Sequence, residues 1–171
     1  VLVSIFGFAA TVYLARVLGD EVLGQYFLVI ATVIWLQVLV GSGVQMSLKK
    51  FLSEANNRGE LFTAGILLQL GLFGLVSLIL YAGRGYVTDY LDGISAVLLV
   101  VVLFTTIVFA FVQNVLDGLH LVHVSSLLKP LDRLARSTLQ VIAALGGLAT
   151  AGLLYGYVAA GLLATIVGLY Y

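Results

Sequence analysis

A chain of 171 residues that is 62% hydrophobic and 9% charged, with a mean hydropathy of +1.17, is too apolar for a water-soluble domain, where about 25% of residues are charged. Eight basic and eight acidic side chains cancel, which gives no basis for binding nucleic acid, and the lack of cysteine excludes disulfides and thiolate metal or redox chemistry. The implied solvent is the bilayer, and the expected fold class is an all-α membrane protein, a polytopic helical bundle of about six transmembrane helices treated as a single unit over 1–171.

In chain order, the first helix (1–16) falls short of the ~20 residues that span a bilayer. Ser4, Gly7, Thr11 and Ala15 recur along it as a narrow stripe suited to a neighbouring helix. The chain begins and ends inside apolar runs, with no initiator methionine and no signal peptide, and so reads as an excerpt of a longer protein. The stretch 14–26 gathers charge and glycine between two apolar runs and is expected to be a tight polar turn. A second helix (26–46) carries Gln37, Gly41 and Gln45 on one face. Lys49, Lys50, Glu54, Arg58 and Glu60, interleaved with Phe51 and Leu52, give 47–60 the pattern of a short amphipathic helix on the membrane surface.

The third helix (61–83) leads to a loop with Tyr86, Asp89, Tyr90 and Asp92, residue types that favour the headgroup region. The fourth (94–116) opens with an unbroken Val and Leu run, helical in lipid because every backbone group must be bonded within its own segment. One side of its second half is polar: Thr106, Ala110, Gln113, Asn114 and Asp117. A charged connection follows, with His120, His123, Lys129, Asp132, Arg133 and Arg136, and Pro130 marks the start of a fifth helix (133–154). Gly152, Tyr155, Gly156 and Tyr157 suit the reversal into a sixth (157–171), although Gly152 and Gly156 equally form a small-residue packing pair within one helix.

Among the basic residues, Lys49, Lys50, Arg58, Lys129, Arg133 and Arg136 follow helices two and four, whereas Arg16 and Arg84 follow helices one and three. The positive-inside rule then puts the first group, and the N-terminus, in the cytoplasm of a multi-pass cell-membrane protein. Lys49, Lys50 and Arg58 can also grip anionic lipid. Gln37, Gln69, Gln113, Asn114 and Gln140 either line a hydrated cavity or form interhelical hydrogen bonds worth about 0.6 kcal/mol each. The face of Arg133, Ser137, Gln140, Ala144, Gly147 and Ala151 is expected to look into the bundle. His120 and His123 stand three apart without further ligands, which suits an interfacial loop better than a metal site. On these boundaries no Asp or Glu falls at mid-span, so no coupling-ion carboxylate is visible. Nothing pairs a nucleophile with a base, so neither an enzyme nor a cofactor is expected.

Three motifs carry a family resemblance: Leu14-Ala15-Arg16 with Leu18-Gly19, an acidic residue, Gly24 and Tyr26; Lys49-Lys50-Phe51-Leu52-Ser53-Glu54 after the second helix; and Leu116-Asp117-Gly118-Leu119 after the fourth. In this order they resemble the polysaccharide flippases, the polysaccharide transporter branch of the multidrug/oligosaccharidyl-lipid/polysaccharide exporter superfamily. The resemblance implies one lobe of a two-lobed chain of roughly twelve to fourteen helices, the first half being in hand. It also implies alternating access to an oligosaccharide on a polyprenyl-type phosphate or diphosphate carrier, within membrane lipid. By position in the turn motif Arg16 would receive the carrier phosphate, with Gln37, Gln113, Asn114 and Gln140 near the path. Arg16 shares a face with Ala9 and Val12, however, so it can equally snorkel to headgroups. The alternatives are a drug/cation antiporter of the same superfamily and a membrane scaffold or subunit without transport.

Overall fold

The computed structural model describes residues 2–54 and 58–170, the side chains of Leu2, Ser42, 51–54 and Arg58 excepted. It is all-helical over them: α1 (Leu2–Glu54), α2 (Arg58–Ala82), α3 (Arg84–Tyr90), α4 (Ala96–Gly118), α5 (Val122–Leu145) and α6 (Thr150–Leu169). The segments Val3–Gly41, Gly59–Ala82, Ala96–Gly118 and Thr150–Leu169 are long and apolar enough to cross a membrane. Apolar side chains cover the outside, with Trp35 and Leu39 each 74% exposed, while glutamines and an ion pair lie inside. That inversion suits lipid as the solvent.

The turn expected over 14–26 is a break at one residue. Gly19 has φ 83° and ψ 168°, a region open to glycine almost alone, and helical geometry resumes on both sides. A straight helix would hold Gly7 and Tyr26 about 28 Å apart. Instead both arms of α1 reach α5 one turn apart: a Cβ at Gly7 would lie 3.9 Å from Ser137 Oγ, and the Tyr26 hydroxyl accepts a hydrogen bond from Gln140. The chain therefore doubles back at Gly19. The second arm, 20–54, is about 50 Å long. The surface helix expected over 47–60 is not separate on the side that is described: 47–54 continue α1, because nothing between Gly41 and Glu54 breaks it. Of the rest, 55–57 lie outside the described residues, as does the side chain of Arg58, and 58–60 open α2.

The later boundaries differ more. The loop after the third helix holds a short helix, α3, and then turns at Asp92 and Gly93, both with positive φ. The fifth helix starts at Val122, so Pro130 lies inside it. The carbonyl deprived of a donor there belongs to Ser126, an exposed residue, which keeps the loss small. The reversal is at Gly146–Gly147, not 152–157. Gly147 (φ 71°) takes the left-handed position after the helix, Leu148 N–H bonds Ala143 O, and Gly147 N–H bonds Ala144 O. Gly152 and Gly156 pack within α6: a Cβ at Gly156 would lie 3.2 Å from the Gln140 backbone nitrogen and Cγ.

The core gathers Val29 and Val33 of α1, Leu99, Val102 and Leu103 of α4, and Leu153 and Leu154 of α6, all at most 1% exposed. Small residues let α6 approach α4; a Cβ at Gly161 would come within 2.6 Å of Thr105 Cγ2. Two polar clasps hold opposite ends. At the Gly19 end, Gln25 donates to Leu91 O (3.3 Å) and Asp92 O (2.6 Å), and its amide oxygen accepts from Thr150. At the other end Lys49 pairs with Asp117 (2.7 Å), which also accepts from Ser125.

Candidate functional site

The charged residue deepest in the bundle is Asp132, whose sequence neighbourhood has the pattern of a connection. Asp132 and Arg136 lie about 15 and 21 Å along α5, a helix of roughly 35 Å, so a carboxylate stands at the middle of a bundle helix, although α5 is not one of the four segments apolar enough to cross a membrane. Arg136 is likewise not part of a basic connection. Its Nη2 lies 2.6 Å from Asp132 Oδ2, one helical turn below, and the Asp132 side chain is 7% exposed.

Three other helices close around this pair. The Arg136 guanidinium carbon lies 3.7 Å from the centroid of the Tyr157 ring on α6, a cation–π contact. The Tyr157 hydroxyl in turn meets Thr106 Oγ1 of α4 (3.4 Å). One turn further along α5, Gln140 Nε2 donates to the Tyr26 hydroxyl of α1 (2.8 Å) and to Leu153 O (3.3 Å). Asp132, Gln140, Tyr26 and Tyr157 are all buried. A single contact joins the ion pair although a guanidinium and a carboxylate can share two. Asp132 Oδ1 and Arg136 Nε are consequently buried with no hydrogen-bond partner. Such unspent polar capacity in an apolar interior is what a bound water or a polar ligand group would satisfy.

Of the residues expected to contact a substrate headgroup, only Gln140 belongs to this cluster. Arg16 is exposed near the Gly19 reversal, Gln37 is half-buried on the second arm of α1, and Asn114 donates to Ala110 O of its own helix (2.8 Å). Gln113 lies two turns along α4 from Thr106, about 10 Å away along the axis, with a buried, unpartnered Nε2. The inward face of α5 is rotated from the expected stripe. Leu128, Asp132, Gln140 and Ala144 are buried and Ser137 is half-buried, whereas Arg133, Gly147 and Ala151 are exposed. Lys129 and Lys50 are also exposed, and Lys49 forms the Asp117 pair. Gln69, read with the glutamines, is buried and donates to Val40 O (3.2 Å) beside Gln45 and Gly41.

Tyr26, Asp132 and Tyr157 were missed as site residues. The signal for Asp132 is present: Leu128, Asp132 and Arg136 stand four apart and lead on to Gln140, a strip that winds only slowly around the helix. Among the described residues no three His, Cys, Asp or Glu side chains are grouped as a metal site would require. A separate apolar groove of about 380 Å³ lies between α2, α4 and the end of α6, walled by Phe62, Phe73, Phe104 and Phe111 and containing no charged residue.

An all-α membrane bundle with an ion pair, two tyrosines and an amide packed into its interior defines a polytopic membrane protein with an internal polar site. Comparison with protein families gives a match to the one described as "Polysaccharide biosynthesis protein" over residues 1–171, and the chain belongs to that family. No curated protein and no solved structure matches it.

Proposed function

We propose that this bundle is one lobe of a flippase that passes oligosaccharide on a polyprenyl phosphate or diphosphate carrier across the cytoplasmic membrane by alternating access. Family membership supports the role in polysaccharide biosynthesis. The single observation that carries the transport reading is Arg136, a guanidinium kept within an apolar bundle and given only one hydrogen-bonded contact to its counter-ion. A charged side chain kept inside a membrane bundle is costly, and such residues mark substrate paths; α5 itself is less apolar than the four segments that can cross a membrane, as a helix lining a polar path would be. Its fork matches a phosphate. The carrier's hydrocarbon suits the phenylalanine-walled groove. Orientation follows from the basic residues: the Lys49 end, and with it the N-terminus, faces the cytoplasm. A second, similar lobe completes the transporter.

A drug/cation antiporter would need a carboxylate free to hold a cation, whereas the Asp132 carboxylate is already held by Arg136. The test uses cells that depend on the full-length protein. Depletion is expected to accumulate carrier-linked oligosaccharide on the cytoplasmic leaflet and to remove surface polysaccharide, read by lipid extraction and blotting. Unchanged surface polysaccharide with lost export of small cations would support the antiporter, and no change in either a scaffold.

A further inference from the structure

The ion pair on α5 is electrically neutral, and a neutral pair has little to offer a phosphate. If Arg136 is to receive an anion, something must first release it from Asp132. The geometry suggests how. The contact uses only Nη2 and Oδ2, so Nε is an N–H without an acceptor and Oδ1 an acceptor without a donor, both within the bundle. One edge of the guanidinium is therefore without an acceptor while the carboxylate holds the other.

The surroundings limit what else can respond. Among the described residues α5 packs against α1, α4 and α6. Facing the pair, α1 supplies the Tyr26 hydroxyl, α6 supplies Tyr157, and α4 reaches it through Thr106 on the Tyr157 hydroxyl; α5 itself adds Gln140. Among these groups Asp132 is the carboxylate, the side chain that an anion arriving at Arg136 would leave facing a second negative charge.

We propose that Asp132 is an internal competitor of the substrate phosphate for Arg136, so that anion binding at this site is coupled to uptake of one proton by Asp132. When the anion takes the guanidinium, the carboxylate is left buried beside a second negative charge. It accepts a proton from water, becomes a neutral carboxyl, and bonds back to the cluster. When the anion leaves, the proton is returned and the Asp132–Arg136 pair re-forms. By linkage the effect is reciprocal, protonation of Asp132 raising anion affinity by the same factor that the anion raises proton affinity. Asp132 is a positioning residue in this scheme, which rests on the reading of Arg136 as the phosphate site.

The test titrates the purified full-length protein in detergent with farnesyl diphosphate, a short prenyl diphosphate, by calorimetry in buffers of different ionisation enthalpy. The free ligand's own ionisation is subtracted. The wild type is expected to take up a proton on binding and to lose affinity by up to about tenfold per pH unit as pH rises. Asp132→Asn is expected to bind about tenfold tighter or more near neutral pH, with no proton uptake beyond the ligand's own. Asp132→Asn that binds no tighter, or a wild type whose affinity follows only the ligand's ionisation, would overturn the competition while leaving the phosphate site intact, provided Arg136→Gln still abolishes binding. Wild-type binding that is absent, or that survives Arg136→Gln, overturns the phosphate-site reading itself. Should Asp132→Asn not fold, the wild-type pH profile decides alone.

Discussion

Arg136→Gln is expected to abolish surface polysaccharide in cells that depend on the full-length protein and to destabilise the bundle by about 3–5 kcal/mol, because it strands a buried carboxylate. Asp132 is 5% exposed as a residue, and Arg136 is the partner its side chain meets in an ion pair. The double variant Asp132→Asn/Arg136→Gln removes both charges. Replacing a buried pair by neutral groups of similar size is often close to neutral for stability, so the double variant should recover most of the lost stability and remain inactive. Unfolding midpoints in mixed micelles and blots for surface polysaccharide separate the two effects. If the pair served folding alone, the stable double variant would export normally.

Gly19→Ala is the second large effect, for a reason unrelated to packing. A Cβ at Gly19 would meet nothing within 4 Å, so neighbouring atoms do not resist it. The backbone does, since φ 83° with ψ 168° costs a residue with a side chain about 1–3 kcal/mol. Straightening the helix would relieve that strain, at the expense of the contacts that both arms make with α5. Gly24 gives the control: it too has open space around it, but it sits in regular helix, where glycine to alanine gains about 0.4–1 kcal/mol. The expected result is a lower unfolding midpoint for Gly19→Ala and an equal or higher one for Gly24→Ala.

The all-helical fold, the doubling back near Gly19 and the apolar exterior were legible because they rest on composition and on the length of apolar runs. The polar interior was only half legible. Gln140 stood out because an amide in an apolar run is conspicuous. Asp132 and Arg136 do not, because proline favours a helix start and two charges beside one have the pattern of a connection. Proline is tolerated within α5 because the carbonyl it orphans belongs to the exposed Ser126, a circumstance that depends on which face of the helix is covered. Tyr157 has the sequence context of a reversal because glycine stands beside it. The glycine that makes the turn is Gly147, and Gly156 instead lets α6 lie close to Gln140. Tyr26 lay in the turn motif, and the partner that defines its role is 114 residues away in sequence.

The most direct test of the account asks whether α5, the most polar of the long helices, carries the Asp132–Arg136 pair through the membrane. Single cysteines at Ser126 and at Leu148, both exposed and just inside and just beyond opposite ends of α5, are placed in a cysteine-free background of the full-length protein. Intact cells are then treated with a membrane-impermeant maleimide. Leu148→Cys is expected to be labelled from outside and Ser126→Cys only after permeabilisation; labelling of both from the same side would mean that α5 does not cross the membrane.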